Sequence, residues 1–332
     1  MNLILITLFI SSIIFFTNNR IKKLNFLSND KGFKHQKFSG FKNVPLSGGI
    51  FLIFTYLVLF YFNSYNFLLL FFLFSIFCVG FISDINLLSS PKLRFLIQSL
   101  VIIFFVFLLD IKIQNTKFYA LDILLENIYF KYFFSVFCLL VLINGSNFID
   151  GLNGLMLSYF TSIIFIILYL NIYASLGIEK NLIVSLLIIL VFLFILNINN
   201  KLFMGDSGSL FFGSIFVALI CISISQNILS MWTWLTLLSI FYVETTVTLS
   251  VRLFRKENFF SSRHELHAYQ RLVISTQDHS FPSKVFIMIQ CLWTIPAALF
   301  SFFYPQYDVY IYLITVTPMI IIFYYYGPRK VA

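Results

Sequence analysis

Eleven apolar runs follow one another along the chain, at roughly 2–17, 46–62, 66–82, 94–110, 132–144, 155–173, 182–198, 209–225, 229–251, 284–304 and 309–326. Each approaches the ~20 residues that a bilayer-spanning helix requires, and polar residues are concentrated in the stretches between them. The pattern predicts an all-α, polytopic integral membrane protein of about eleven transmembrane helices, a single transmembrane domain over residues 1–332. The first run, Leu3–Phe16, has no basic segment before it and no small-residue cleavage site after it. It is therefore expected to be a retained helix rather than a signal peptide.

Composition agrees with this pattern and narrows the partners. Apolar residues make up 60% of the chain and charged residues only 11%, a balance foreign to soluble domains. The four cysteines (Cys78, Cys138, Cys221, Cys291) all lie inside apolar runs without paired spacing, which suggests packing residues rather than disulfides or a metal cluster. The net charge of +9 carries no expectation of a nucleic-acid partner, because its distribution explains it. With the N-terminus outside, the inner segments hold 18 Lys and Arg against 4 on the outer side, counting Arg94 and Lys284 at helix starts. By the positive-inside rule this predicts a multi-pass membrane protein with its N-terminus outside. Its C-terminus and its polar loops are then cytoplasmic.

Those inner loops hold the candidate chemistry. Asn144, Asn147 and Asp150 are spaced three apart, so a helical turn presents them on one face. Asn153 and two glycines follow. Asp84 ends a long apolar run, where a lone carboxylate opposes the helix dipole. Asp206 stands in Phe203-Met-Gly-Asp-Ser-Gly-Ser at the start of another run, where a plain helix cap is the competing reading. Gly48 and Gly49, after Val44-Pro-Leu-Ser, suggest a turn that faces a ligand. His264, His267 and Arg271 share one side of a predicted helix, while His35 and His279 have no comparable setting and are expected to be solvated. Glu244 is an intramembrane carboxylate and by default a functional candidate.

Three aspartates at one membrane depth, with carboxamides and no thiolate, suit a hard cation such as Mg²⁺, or Mn²⁺. Lys42, Arg263 and Arg271 are placed to cover phosphate charge. A divalent ion and a basic rim at a bilayer surface suit phosphoryl transfer from a soluble nucleotide to a lipid acceptor.

These motifs, in this order, resemble the polyprenyl-phosphate N-acetylhexosamine-1-phosphate transferases, the MraY/WecA group, over essentially the whole chain. Asn144-x-x-Asn147-x-x-Asp150-Gly-x-Asn153-Gly-Leu is similar to the family's signature loop, and the Asp206 segment to its magnesium-binding loop. Pro45-x-x-Gly48-Gly49 is similar to the turn at its second helix. His264-x-x-His267-Ala-Tyr-Gln-Arg271 is closest to the form found in members that initiate O-antigen or capsule assembly.

The resemblance implies Mg²⁺ as cofactor, on Asp206 and Asp84, and catalytic roles for Asp84, Asp150, Asp206, His264 and His267. It implies substrate contacts from Lys42, Asn144, Asn147, Asn153, Arg263 and Arg271. The implied partners are undecaprenyl phosphate, a UDP-N-acetylhexosamine and the lipid bilayer, with a homodimer left open. Two positions depart from the family's pattern: Ser83 replaces the first of a usual Asp pair, and Asn153 stands where many members have Asp. The competing readings are an ion-coupled transporter, which would place its polar residues at mid-membrane, and a catalytically impaired homologue acting as an assembly scaffold.

Overall fold

The computed structural model describes residues 3–23, 44–63, 67–113, 116–174, 179–225, 228–257 and 266–331. These form α1 (Leu3–Lys23), α2 (Gly48–Asn63), α3 (Phe67–Asp84), α4 (Pro91–Leu108), α5 (Tyr119–Leu125), α6 (Ile128–Ile149), α7 (Leu155–Ala174), α8 (Lys180–Ile198) and α9 (Gly205–Ser225). They continue with α10 (Met231–Leu237), α11 (Ser239–Phe254), α12 (Ala268–Thr276), α13 (Phe281–Ile289), α14 (Ile295–Phe303) and α15 (Asp308–Tyr326). An all-α architecture is what the apolar pattern predicts, since a chain in hydrocarbon must satisfy its backbone groups within each segment.

Among the described residues, seven helices are long and apolar enough to cross a membrane, or eight if α10 and α11 form one bent span. Shorter apolar helices, Ile4–Asn18, Gly48–Leu59 and Gly205–Cys221, occupy the other runs read from the sequence. By length, then, seven or eight of the expected eleven meet the test.

α9 is the axis of the bundle. It packs most closely on α3 and α6, with α2 against a further side, and Ser207 through Phe212 are all buried. Small residues permit that closeness. At Gly80 of α3, a Cβ would come within 2.5 Å of the Asp206 carbonyl oxygen and of Ser207 Cα. Farther along, Phe160 of α7 meets Phe212 and Phe216 of α9 with ring centroids 4.9 and 4.5 Å apart. Such contacts are the aromatic packing expected of a chain so rich in phenylalanine.

Local signals account for several helix starts. Ser90 caps α4, accepting from the Leu93 N–H at 3.4 Å, with Pro91 in the first turn, as the sequence predicts. Asn127 caps α6, accepting from Tyr129 and Phe130. α6 runs through Ile149 rather than stopping near 144, and α9 begins at Gly205 rather than 209. Much of what the apolar pattern assigns to loops is thus helical, because these polar residues face other helices rather than water.

One predicted span is not continuous. The run 229–251 breaks at Leu238 into α10 and α11, which are inclined by 76°. The freed carbonyl of Leu237 accepts from the Tyr159 hydroxyl at 2.9 Å and from Gln290 Nε2 at 3.2 Å. Gln290 opens a π-helical turn, Gln290–Thr294, between α13 and α14.

Candidate active site at the entry to α9

Alternation of the helices brings the ends of α3, α6 and α8 and the starts of α4, α7 and α9 to one end of the bundle. The entry to α9 is fastened there by hydrogen bonds to Asp84. Gly205 adopts a left-handed φ of +71°, and a Cβ on it would lie 2.7 Å from Asp84 Oδ2. Glycine meets both demands.

The next two backbone groups point at Asp84. Its Oδ1 accepts the Asp206 N–H at 2.8 Å, while Oδ2 accepts the Ser207 N–H at 2.9 Å and the Ser207 hydroxyl at 2.5 Å. A helix N-terminus leaves its first N–H groups without intrahelical partners and carries partial positive charge. Asp84, 6% exposed, supplies both the acceptors and the counter-charge. The carboxylate that looks misplaced at the end of α3 is well placed for the start of α9.

Capping by Asp84 leaves the Asp206 side chain directed away from the helix, into a cluster built from three other elements. Asp206 Oδ2 accepts from Ser83 Oγ at 2.7 Å and is ion-paired with Arg94 Nη1 of α4. Asp206 Oδ1 accepts from Asn147 Nδ2 of α6 at 3.2 Å. Arg94 Nη1 also donates to Ser83 Oγ at 3.3 Å. Arg94 and Asp206 side chains are 24% and 14% exposed, and Ser83 and Asn147 are likewise only partly buried.

The expected glycine turn is occupied by protein. Gly48 and Gly49 donate to the carbonyls of Phe203 and Met204, and the Phe203 N–H donates to Pro45. A Cβ at Gly49 would sit 2.4 Å from Ser207 Oγ. The close approach is between this turn and the segment leading into α9, not between the turn and a ligand.

A second cluster adjoins through the end of α6. Asp150 is the residue that ends that helix and is half-buried. Asn153 Nδ2 donates to Asn200 Oδ1, and its carbonyl accepts from Ser283 Oγ at 3.0 Å. Asn197 ties the same loop to the α9 entry: its Oδ1 accepts the Gly154 N–H at 2.6 Å, and its Nδ2 donates to Leu202 at 3.0 Å.

His267 sits against α6, its ring stacked near Phe148 and Tyr269 with centroids 5.9 and 5.4 Å away. His267 Nδ1 lies 2.8 Å from Glu244 Oε2, whose other oxygen accepts the Ala268 N–H at 2.7 Å. The Tyr269 hydroxyl donates to the Phe148 carbonyl at 2.7 Å. Burial, then the charges of Glu244 and Asp150, hold that phenol well above its usual range, so it stays a neutral donor.

Of the residues singled out in the sequence, Asp84, Asn147 and Asp206 come together directly, and Asp150, Asn153 and His267 line the adjoining cluster. Asn144 lies one turn deeper and donates to the Leu140 carbonyl of its own helix at 2.9 Å. Arg271 follows His267 by one turn of α12. Its Nε is buried without a hydrogen-bond partner among the described residues. Lys42, Arg263 and His264, like His35, lie outside the described residues. His279 is half-buried rather than solvated, and burial holds its pKa below the ordinary value.

Sequence reasoning missed Arg94, which counts there only towards topology. The available signal was a cation one turn inside an apolar helix. It also missed Asn197, Asn200 and Tyr269, which hold the loops in place.

An all-helical membrane protein with one partly exposed carboxylate among amides and a guanidinium is the class that fold and site define. Residues 67–225 match the family model described as Glycosyl transferase family 4. A "Phospho-N-acetylmuramoyl-pentapeptide-transferase" from Prochlorococcus marinus (strain NATL2A) is 28% identical over 315 residues, covering 84% of this chain and 79% of the relative. Over residues 67–225 the chain is thus similar to glycosyl transferase family 4, and over most of its length to that transferase.

Proposed function

We propose that the protein transfers the sugar 1-phosphate of a UDP-N-acetylhexosamine to undecaprenyl phosphate and releases UMP, initiating assembly of a cell-surface polysaccharide such as O-antigen, capsule or a related wall glycan. In this reading an oxygen of the lipid phosphate attacks the β-phosphorus of the nucleotide sugar. The P–O bond to UMP breaks, and UMP leaves with the electron pair. The product is a polyprenyl diphosphate sugar. The site end of the bundle is then cytoplasmic, where the nucleotide is available.

The observation that carries this reading is the Asp206 carboxylate, aimed away from a helix whose N-terminus Asp84 already caps. The oxygens around it suit a hard divalent cation held by one carboxylate and by substrate phosphates, the usual manner for Mg²⁺. Such an ion would neutralise charge on the departing UMP. Among the described residues no three His, Cys, Asp or Glu gather as a closed metal cage, which also suits an ion shared with substrate. Asp206 is accordingly the metal-facing carboxylate, and Asp84 the residue that positions it, since both Asp84 oxygens are engaged by α9.

Asn147 and Asp150 serve the nucleoside side, with Asn153 fixing their loop through Asn200. His267, held by Glu244, and Arg271 orient the sugar phosphate, and Lys42, Arg263 and His264, outside the described residues, are the remaining candidates for phosphate contact. Ser83 leaves no second carboxylate to act as a base. A phosphate monoester with its second pKa near ~6 is already mostly dianionic at neutral pH, so none is needed.

The test gives the detergent-solubilised protein UDP-N-acetylglucosamine, undecaprenyl phosphate and Mg²⁺, and follows UMP. Release that requires the lipid and rises with pH through ~6 before levelling is the expected result. UMP independent of the lipid, or none with any UDP-N-acetylhexosamine, would overturn the reading.

A further inference from the structure

Among the described residues Ser83, Asn147 and Arg94 converge on the Asp206 carboxylate, and they differ in how firmly each is held. Ser83 and Asn147 are neutral donors on helices packed against α9. Arg94 is a cation, partly exposed, on a side chain long enough to reach elsewhere. The charges among the described residues at the α9 entry are arranged in a specific way. Asp84 is satisfied by backbone and hydroxyl donors, while Asp206 is ion-paired with the Arg94 guanidinium.

A divalent cation on Asp206 upsets that arrangement. Two positive groups would then share one carboxylate a few ångströms apart, where repulsion at a protein surface is on the order of kilocalories. The guanidinium is the one that can leave. Its planar fork is suited to phosphate oxygens as well as to carboxylate, and a diphosphate bridging to the same ion would bring those oxygens within reach.

We propose that Arg94 is an exchangeable counterion: it holds Asp206 until a divalent cation takes that carboxylate, and it then turns to the phosphates of the substrate. The first half concerns only this chain and the cation. The second half rests on the transferase reading above. Arg94 thereby couples the two ligands: a divalent cation alone must displace the guanidinium at a cost, and a phosphate that receives it tightens metal binding.

The test uses the full chain in detergent micelles and reads binding rather than turnover. Mn²⁺ titrations followed by electron paramagnetic resonance, without substrate, compare wild type with Arg94→Gln and Arg94→Lys. Arg94→Gln should bind Mn²⁺ about tenfold more tightly, the scale of one screened charge contact, while Arg94→Lys stays within about threefold of wild type because it keeps the charge. An Arg94→Gln protein that binds Mn²⁺ no more tightly than wild type overturns the exchange.

A second measurement needs no variant. Modification of Arg94 by phenylglyoxal, resolved by peptide mass spectrometry, should quicken when Mn²⁺ is added to wild type. It should slow again when inorganic pyrophosphate accompanies the ion. No quickening sinks the exchange, and no renewed protection sinks the turn to phosphate. UMP release is scored separately: exchange without any UMP release would leave this inference standing and remove the transferase reading, and release without exchange would do the reverse.

Discussion

Two helix N-termini at the same end of the bundle are each capped by a buried carboxylate from a different helix, and at one of them a neighbouring carboxylate stays partly exposed. Asp84 caps α9, and Glu244 caps α12 through the Ala268 N–H. At α12 the remaining carboxylate oxygen meets His267, and both side chains are enclosed, at 5% and 9% exposure. At α9 the second carboxylate belongs to Asp206, whose own N–H Asp84 accepts, and keeps 14% of its side chain exposed. A buried acid is thus a structural fastening when its acceptors are filled from within. The proposed site lies where a neighbouring acid is instead paired with a partly exposed guanidinium. Membrane proteins make this distinction sharp, since an unpaired intramembrane charge is expensive and every acid needs some partner.

The largest expected effect separates the two acids of the α9 entry. Asp206→Asn keeps the shape and most hydrogen bonds but removes the anion, so UMP release should fall by ~10²–10³-fold. Its thermal midpoint should stay close to that of wild type. Near-normal turnover at limiting Mg²⁺ would return Asp206 to the role of a plain cap. Asp84→Asn should instead weaken the fold, because two backbone N–H groups lose a charged acceptor. A loss of about 1.5–3 kcal/mol is the scale for hydrogen bonds to charged groups. Thermal denaturation followed by gel filtration reads it, and a stable Asp84→Asn protein with abolished turnover would show that Asp84 touches substrate after all.

On the other side of the comparison, Glu244→Gln retains one acceptor for Ala268 but loses its charge opposite His267. The expected cost is about 1–2 kcal/mol of stability with turnover reduced less than in Asp206→Asn. An effect on turnover as deep as that of Asp206→Asn would mean the α12 junction is part of the reacting centre. The smallest effect is expected at Gln98, buried on α4 with neither amide atom bonded among the described residues. Replacing an unsatisfied buried amide by an apolar side chain of similar length is neutral or stabilising, so Gln98→Leu should unfold at the same temperature or higher. A clear loss of stability would reveal a partner for that amide.

Much of this was legible along the chain. Apolar runs locate the helices because lipid demands them, and the three-residue spacing of Asn144, Asn147 and Asp150 places Asn147 on the face that meets Asp206. What was not legible depends on groups distant in sequence. Asp84 reads as a metal ligand until the N–H groups of residues 206 and 207 are seen to fill it. Gly48 and Gly49 read as a ligand turn until the Phe203 and Met204 carbonyls are seen to occupy it. Arg94 is hidden among the charges that orient the protein, because its value lies in a partner on α9 more than a hundred residues away. Backbone groups carry no sequence signal as hydrogen-bond partners, so these contacts could not be read along the chain.

The corner at Leu238 has a consequence for how such proteins diverge. No proline or glycine stands within Met231–Phe254, so nothing in the local sequence enforces the turn. The Leu237 carbonyl is quenched by a phenol from α7 and an amide from the α13–α14 junction. A peptide oxygen left bare in hydrocarbon is untenable, so the angle is inherited at positions 159 and 290 rather than in the bent segment. Related chains could keep residues 231–254 unchanged and still hold α11 at another inclination, reshaping the lipid-facing flank of the bundle by substitutions on helices that never line it.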